Sequence, residues 1–282
     1  NQMDKVIVVS NHAKSGFNTR YQGQDQNGNL ATLECTTPVE VVGYPVKSFD
    51  IKEVSLNLDY DFNYLAVAQW GPRKNMHNLI KWFVEENHDQ EVGLIVKTSL
   101  KNNSTVDREY CEKMVNSAIP NIDDCKCKVY LLHGDLSEAE MHSLYNHPQI
   151  KVMLSATHGE GFGLPLFEAA YSGMPVVAPG WSGQTDFLYI PSRNKKSKKK
   201  KAMFSEVDYT IGPVINNGMM WCFPEEGSFK LRMRQVRNNY EKSLKRAKTL
   251  QNWILEEYEF NKMHEKLAEL LLPEMSGEEK KW

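Results

Sequence analysis

His158-Gly159-Glu160-Gly161-Phe162-Gly163-Leu164-Pro165-Leu166-Phe167-Glu168 sets two carboxylates eight positions apart across a run of glycines and a proline. Ala169 to Gly173 follow, and then Pro175-Val176-Val177-Ala178. The pattern predicts a glycine-rich loop, a short helix from Leu164 to Ser172 and a buried strand. Pro165 suits the first helical position, where its missing N–H costs nothing. Gly173 suits the left-handed residue that ends a helix, and Pro175 forbids continuation. Glu160 then lies in the loop and Glu168 about one turn into the helix.

The start of a helix carries free N–H groups and a partial positive charge, so it favours a phosphate. Gly161 and Gly163 let the backbone approach an anion closely, because no Cβ stands in the way. A carboxylate there would repel phosphate, so Glu160 and Glu168 are suited to accept hydrogen bonds from hydroxyls. Phosphate on the amides with hydroxyls on the carboxylates describes a sugar nucleotide. The plainer alternative is a helix start with a capping-type Glu and glycines that serve only the turn.

Upstream, Tyr64-Leu65-Ala66-Val67-Ala68-Gln69-Trp70-Gly71-Pro72-Arg73-Lys74-Asn75 predicts a strand from Tyr64 to Ala68. A turn at Gly71-Pro72 and a helix beginning near Asn75 follow from the same run. Adjacent cations at a strand-to-helix turn can clamp a diphosphate, Arg as a planar fork and Lys as a mobile point charge. Taken alone, Arg73 and Lys74 read as two solvated surface charges.

Together these residues resemble the Glu-x7-Glu signature of retaining, nucleotide-sugar-dependent glycosyltransferases, in particular glycosyltransferase family 4 with the two-Rossmann GT-B fold. The resemblance implies that Glu160, the catalytic candidate, lies beside the transferred sugar and that Glu168 binds the ribose. It implies that the backbone of Gly161, Phe162, Gly163 and Leu164 lies against the donor diphosphate and sugar. The family often carries Arg-Lys-Asn after the first strand of its C-terminal domain, which adds Arg73 and Lys74 as diphosphate ligands. Its usual Gly near the end of that strand is Ala68 here. His133-Gly134-Asp135 occupies another strand end, which in the family lies near the base or the donor. A lone His in a turn is more often structural. His158 directly precedes Gly159-Glu160, and in Ser182-Gly183-Gln184-Thr185-Asp186 the acid Asp186 is a partial match to a family Glu.

Strand-like runs at Lys5–Ser10, Val39–Val42, Tyr64–Ala68, Val92–Thr98, Lys128–Leu132, Ile150–Ser155 and Pro175–Ala178 alternate with helical patterns. The helical patterns include Asn78–Asn87, Asp107–Ala118 and Ser137–Tyr145. Alternation of this kind predicts an α/β, Rossmann-like parallel sheet with helices on both faces. Ligands of such sheets bind beyond the carboxyl ends of the strands, where both Arg73-Lys74 and the Glu160 loop fall.

The chain has 282 residues, and only one such sheet is visible after Tyr64. Residues 1–50 are expected to be a remnant of the family's N-terminal (acceptor) domain plus linker. Residues 51–256 are expected to form the C-terminal donor-binding domain, and 257–282 a final helix and tail. Asn1 suits an internal start, while Met3 leaves a genuine start open. The expected function is a group 1 type glycosyltransferase that transfers a sugar with retention, one that with the acceptor domain mostly absent could bind a donor without transfer on its own; the alternative is a non-catalytic nucleotide-sugar-binding module.

Hydrophobic residues at 41% and charged residues at 25% fit a globular protein, and a net charge of −2 gives no general pull toward nucleic acid. No run of 18 apolar residues exists to span a membrane. Cys35, Cys111, Cys125, Cys127 and Cys222 show no metal-type spacing, so reduced thiols in the cytoplasm and no metal are expected. The run Lys195-Lys196-Ser197-Lys198-Lys199-Lys200-Lys201 reads as a solvated loop, the alternative being contact with an anionic membrane or polyanionic acceptor. From Ser228 to Leu272 the chain reads as helical, with Leu231, Val236, Tyr240, Leu244, Ala247, Leu250 and Ile254 on one packed face. Arg232, Arg234, Arg237, Lys242, Lys245 and Arg246 populate the other face, and Phe260, Met263, Leu267 and Leu270 continue the apolar stripe.

The implied chemistry passes through an oxocarbenium-like transition state, with cations and amides stabilising the departing diphosphate. The donor is a nucleotide-diphosphate sugar and the acceptor a carbohydrate or lipid-linked group, with no required cofactor. A phosphorylase-type enzyme on the same fold would need a lysine-bound pyridoxal phosphate, for which no sequence feature speaks.

Overall fold

The computed structural model describes residues 3–24, 26–192, 199–214 and 219–272. The chain opens with β1 (Val6–Val8), α1 (Asn11–Phe17), the hairpin β2 (Tyr21–Gln24) and β3 (Leu30–Leu33), and β4 (Val39–Val41). A long connection leads to β5 (Asn63–Val67), α2 (Met76–Asn87), β6 (Gly93–Lys97), α3 (Thr105–Ala118) and β7 (Lys128–Leu132). Then come α4 (Glu138–Tyr145), β8 (Ile150–Leu154), α5 (Leu164–Tyr171), β9 (Val176–Pro179) and α6 (Thr185–Leu188). A small antiparallel pair, β10 (Tyr189–Pro191) with β11 (Lys200–Ala202), precedes β12 (Ser205–Val207). The hairpin β13 (Tyr209–Pro213) with β14 (Met220–Pro224) leads into α7 (Glu226–Asn238), α8 (Tyr240–Glu257) and α9 (Phe260–Leu271).

Six strands form one parallel sheet in the order β12-β9-β8-β5-β6-β7, while β1 pairs in parallel with β4 apart from it. From β5 the chain first steps outward to β6 and β7, then returns to the far side of β5 for β8, β9 and β12. The order therefore reverses between β5 and β8. In an open parallel sheet that reversal leaves a crevice at the carboxyl ends of the two strands, where ligands bind.

Alternation along the strands fills both faces of the sheet. Tyr64, Ala66, Leu94, Val96, Val152 and Leu154 pack on one side with Leu79, Ile80 and Phe83 of α2, Val115 of α3, and Phe229, Met233 and Val236 of α7. Leu65, Ile95, Met153, Val176 and Ala178 pack on the other with Leu144 of α4, Leu166 and Phe167 of α5, and Leu250 and Ile254 of α8. Burial of each such large apolar side chain stabilises the fold by about 1.5–3 kcal/mol.

The α5 helix runs nearly as its sequence predicts, with Gly163 at its start and Gly173 just past its end, both in the left-handed region at φ +96° and +79°. Upstream, Pro72–Lys74 form a single 3-10 turn and Asn75 adopts φ 54°, so α2 begins one residue after the expected place. Ser137 and Glu140 close α4 with a reciprocal capping box.

Of the expected C-terminal apolar face, Val236, Ala247, Leu250, Ile254 and Met263 are buried. Leu231 and Phe260 are exposed, while Phe229, Met233 and Val236 are the buried apolar residues of α7. Leu231 stands five residues before Val236, about 140° away around the same helix, and so falls outside the face that Phe229, Met233 and Val236 share. The basic face is also engaged. Arg234 makes a two-pronged pair with Glu86, Arg232 donates to the Glu206 carbonyl and Arg246 to Ser205. These contacts tie α7 and α8 to α2 and β12. Of the lysine run, residues 195–198 lie outside the described residues, while Lys200 and Lys201 are exposed on β11. The 257–282 segment is described only as far as Leu272.

Candidate functional site

The loop after β5 and the loop after β8 meet at the crevice where the strand order reverses. Gly71-Pro72 turns the chain sharply, and the 3-10 turn presents Arg73 and Lys74. Asn75 secures the turn by donating from Nδ2 to the Ala156 carbonyl at 3.1 Å. The His158 amide donates to the Arg73 carbonyl at 2.8 Å, and Thr157 Oγ1 donates to the same oxygen at 3.3 Å. The two loops are thus stitched backbone to backbone.

Glu160 extends its carboxylate into this junction. Lys74 Nζ donates to Oε1 at 2.6 Å and to Oε2 at 2.8 Å, and Arg73 donates to Oε2 at 2.9 Å. Arg73 also donates to the Gly159 carbonyl. The Glu160 side chain is 10% exposed, that of Lys74 17% and that of Arg73 46%. The cations read from sequence as a diphosphate clamp therefore pair with the carboxylate read as the sugar ligand, and all three lie together.

A third loop, after β9, locks the first two. Ser182, at φ 67°, accepts from the Glu160 amide at 2.7 Å through Oγ, and the Gly183 amide donates to the Glu160 carbonyl at 2.9 Å. A Cβ at Gly183 would stand 2.1 Å from the Gly161 carbonyl oxygen, so glycine is demanded by close approach. At Gly161 itself a Cβ would meet nothing within 4 Å. The N-terminal segment also reaches this place. Ser10 Oγ donates to the Gly161 carbonyl at 2.5 Å, and the Asn11 amide donates to Asp186 at 2.7 Å.

Phe162 is 4% exposed, and its ring packs among Tyr44, Phe167, Phe187 and Tyr258. Only its backbone is left for a ligand. Leu164, at the first position of α5, keeps its side chain exposed.

Glu168 lies apart from Glu160, at a cavity of about 100 Å³ lined by Lys47, Phe49, Leu136, Glu138, Met141, His142, Tyr145 and Tyr171. Tyr145 donates to its Oε2 at 3.0 Å. Burial pushes the Glu168 carboxyl above the usual carboxylate range, and the Tyr145 hydrogen bond opposes that rise. The sequence alone does not reveal Tyr145, Ser10 or the Lys47–Phe49 wall. Each acts through contacts between distant segments and carries no local motif.

The other strand-end residues are committed elsewhere. His158 holds the Cys222 carbonyl at 2.6 Å through Nδ1 and stacks on Trp221 with ring centres 5.0 Å apart, which ties the loop to β14. His133 lies 3.4 Å from Asp107, whose oxygens accept from the amides of Leu100, Lys101 and Asn102. Burial raises the Asp107 carboxyl, but His133 and then these amides outweigh it and hold it below its usual range. Asp107, Cys111 and His133 are the one group among the described residues close enough to share a metal ion, yet the carboxylate is already spent on clamping the 100–102 loop. Among the described residues no helix is long and apolar enough to cross a membrane.

Residues 48–187, which hold every one of the candidate residues, match the family of glycosyl transferases group 1. This segment is a group 1 glycosyltransferase domain. The group 1 domain is similar to "Probable sucrose-phosphate synthase 5" of Oryza sativa subsp. japonica, 27% identical over 136 residues, which are 45% of this chain and 13% of that protein. The chain therefore spans a small fraction of that relative's length. Its fold is that of GT-B glycosyltransferases. The sucrose-phosphate synthase of Thermosynechococcus elongatus superposes with a TM-score of 0.66 at 14% identity, over 98% of this chain and 60% of that one. An Anabaena protein, HepE, solved with UDP and glucose, superposes with a TM-score of 0.59 at 16% identity, over 95% of this chain and 62% of that one.

Proposed function

We propose that the group 1 domain binds a nucleotide-diphosphate sugar and transfers the sugar, with retention of configuration, to a carbohydrate or lipid-linked acceptor. The observation that carries this reading is the meeting of Glu160 with Arg73 and Lys74 at the sheet crevice, in front of the first turn of α5. Two cations and the free amides of a helix start suit a diphosphate, and they stabilise negative charge as it grows on the leaving group. In this reading the diphosphate takes Arg73 and Lys74 from Glu160, lies against the backbone of Gly161, Phe162, Gly163 and Leu164, and frees the Glu160 carboxylate. Glu160 then faces the transferred sugar and supports positive charge at its anomeric carbon. Glu168 accepts from the ribose hydroxyls. Residues 51–256 form the donor half of the cleft, and 1–50 belong to the acceptor side.

A second reading is a nucleotide-sugar-binding module without transfer. Calorimetric titration with UDP-, GDP- and ADP-sugars, on the intact chain and on Glu168→Ala, tests the donor site. Binding by one of the three, weakened in the variant, supports it, and no binding by any of them refutes it. Release of free sugar from the bound donor then separates an enzyme from a binding module.

A further inference from the structure

Tyr145 ends α4 with its ring in the core, and the whole residue is 3% exposed. A phenol so deeply buried needs a partner for its hydroxyl, because an unpaired buried O–H loses its hydration without return. Here the partner is Glu168 Oε2 at 3.0 Å. Burial and the facing carboxylate hold the phenol well above its ordinary range, so it remains a donor throughout the physiological range.

The carboxylate it holds sits midway along α5 on the wall of the cavity enclosed by Lys47, Phe49, Met141, His142 and Tyr171. Tyr145 supplies the only hydrogen bond that Glu168 accepts among the described residues, and it falls on Oε2. Lys47, the cation at this cavity, pairs instead with Glu138. One oxygen is therefore anchored from the core side, and the other is left for whatever enters.

We infer that Tyr145 is a positioning residue, whose buried hydroxyl fixes one oxygen of Glu168 so that the other is presented to the ribose of the nucleotide. The inference rests on the donor reading above. The anchor removes rotameric freedom from a side chain that would otherwise have to be ordered by the ligand, and pre-ordering of this kind raises affinity without a new contact. A phenylalanine would pack in the same space, so the hydroxyl serves Glu168 and not the core.

The test compares UDP, GDP and ADP with their 2′,3′-dideoxy counterparts by calorimetry, on the intact chain, Tyr145→Phe, Glu168→Gln and the double variant. For the nucleotide that binds, the intact chain is expected to prefer the ribose form, and Tyr145→Phe to lose about tenfold of that preference. The dideoxy form is expected to bind Tyr145→Phe and the intact chain alike. In the Glu168→Gln background, Tyr145→Phe is expected to have little further effect, because the two act as one unit. If Tyr145→Phe weakens ribose and dideoxy forms equally, or leaves the preference intact, the positioning role is overturned while the donor site stands. If the intact chain binds none of the three nucleotides, the donor reading falls and this inference with it. Glu168→Gln keeps an acceptor for the phenol, so the coupling stays readable even if Tyr145→Phe loses some stability.

Discussion

Gly183→Ala is the substitution whose effect the geometry specifies most closely. The added Cβ would lie 2.1 Å from the Gly161 carbonyl oxygen, 2.5 Å from the Gly161 carbonyl carbon and 2.8 Å from the Phe162 Cα. All three are backbone atoms, so no flexible side chain can swing aside. Ordinary contact requires the loops after β8 and β9 to part by about an ångström. That displacement stretches the Gly183-to-Glu160 hydrogen bond of 2.9 Å, the Glu160-to-Ser182 bond of 2.7 Å and the Ser10-to-Gly161 bond of 2.5 Å. Overpacking of a tight site costs about 1–3 kcal/mol, and each weakened hydrogen bond adds up to about 1 kcal/mol. A total of about 3 kcal/mol corresponds to a melting temperature lower by roughly 5 °C for a chain of this size. Differential scanning calorimetry reads the first effect, and titration with a nucleoside diphosphate reads the displaced Glu160 loop. A Gly183→Ala protein that melts within about 1 °C of the parent and binds equally well would refute the three-loop junction.

Gly161→Ala provides the contrast, since its Cβ meets open space. It should leave the melting temperature unchanged yet weaken nucleoside diphosphate binding by about tenfold, because only an external ligand needs that space. Glu160→Gln removes the charge that occupies Arg73 and Lys74, so calorimetry should show a sugar-free nucleoside diphosphate binding several-fold to about tenfold more tightly. The same variant should lose sugar transfer or donor hydrolysis in a product assay. Glu168 titrates above the usual carboxylate range in the native state because burial disfavours its charge. The stability this confers is present below the ordinary carboxylate value and is lost as pH rises through the native one. Urea unfolding from about pH 5 to 8 should therefore show Glu168→Gln gaining on the parent as pH rises, then levelling off. A constant difference across that range would contradict the effect of burial.

The parallel sheet was legible because its strands are continuous apolar runs and its helices periodic ones, patterns written locally. Lys128–Leu132 and the Leu164 helix show it, landing where hydrophobicity and a Pro–Gly pair put them. The edge strand β12 was not, since Ser205-Glu206-Val207 is too short and mixed to stand out without its neighbour β9. The hairpin β13–β14 escaped for a related reason, its role being to hold His158 from a place more than fifty residues away in sequence. At the site, motif residues were readable and their partners were not. Glu160 drew notice through its glycine-rich loop, and Arg73 and Lys74 only through the resemblance to the family's Arg-Lys-Asn, whereas nothing local links Tyr145 to Glu168 or Gly183 to Gly161. Leu231 misled because an apolar residue type does not say which face of its helix it takes, here about 140° from Val236.

The pairing of Glu160 with Arg73 and Lys74 has a kinetic consequence. Two cations against one carboxylate leave a single net positive charge at the mouth of the crevice, on a chain whose overall charge is −2. Such a site exerts little pull beyond the screening distance of about 8 Å at physiological ionic strength. On the donor reading proposed above, a charged nucleotide is expected to reach the crevice at the rate of unguided diffusion, with little dependence on salt. Discrimination among nucleotides then resides in how long each stays, set by contacts formed after the ion pair has opened.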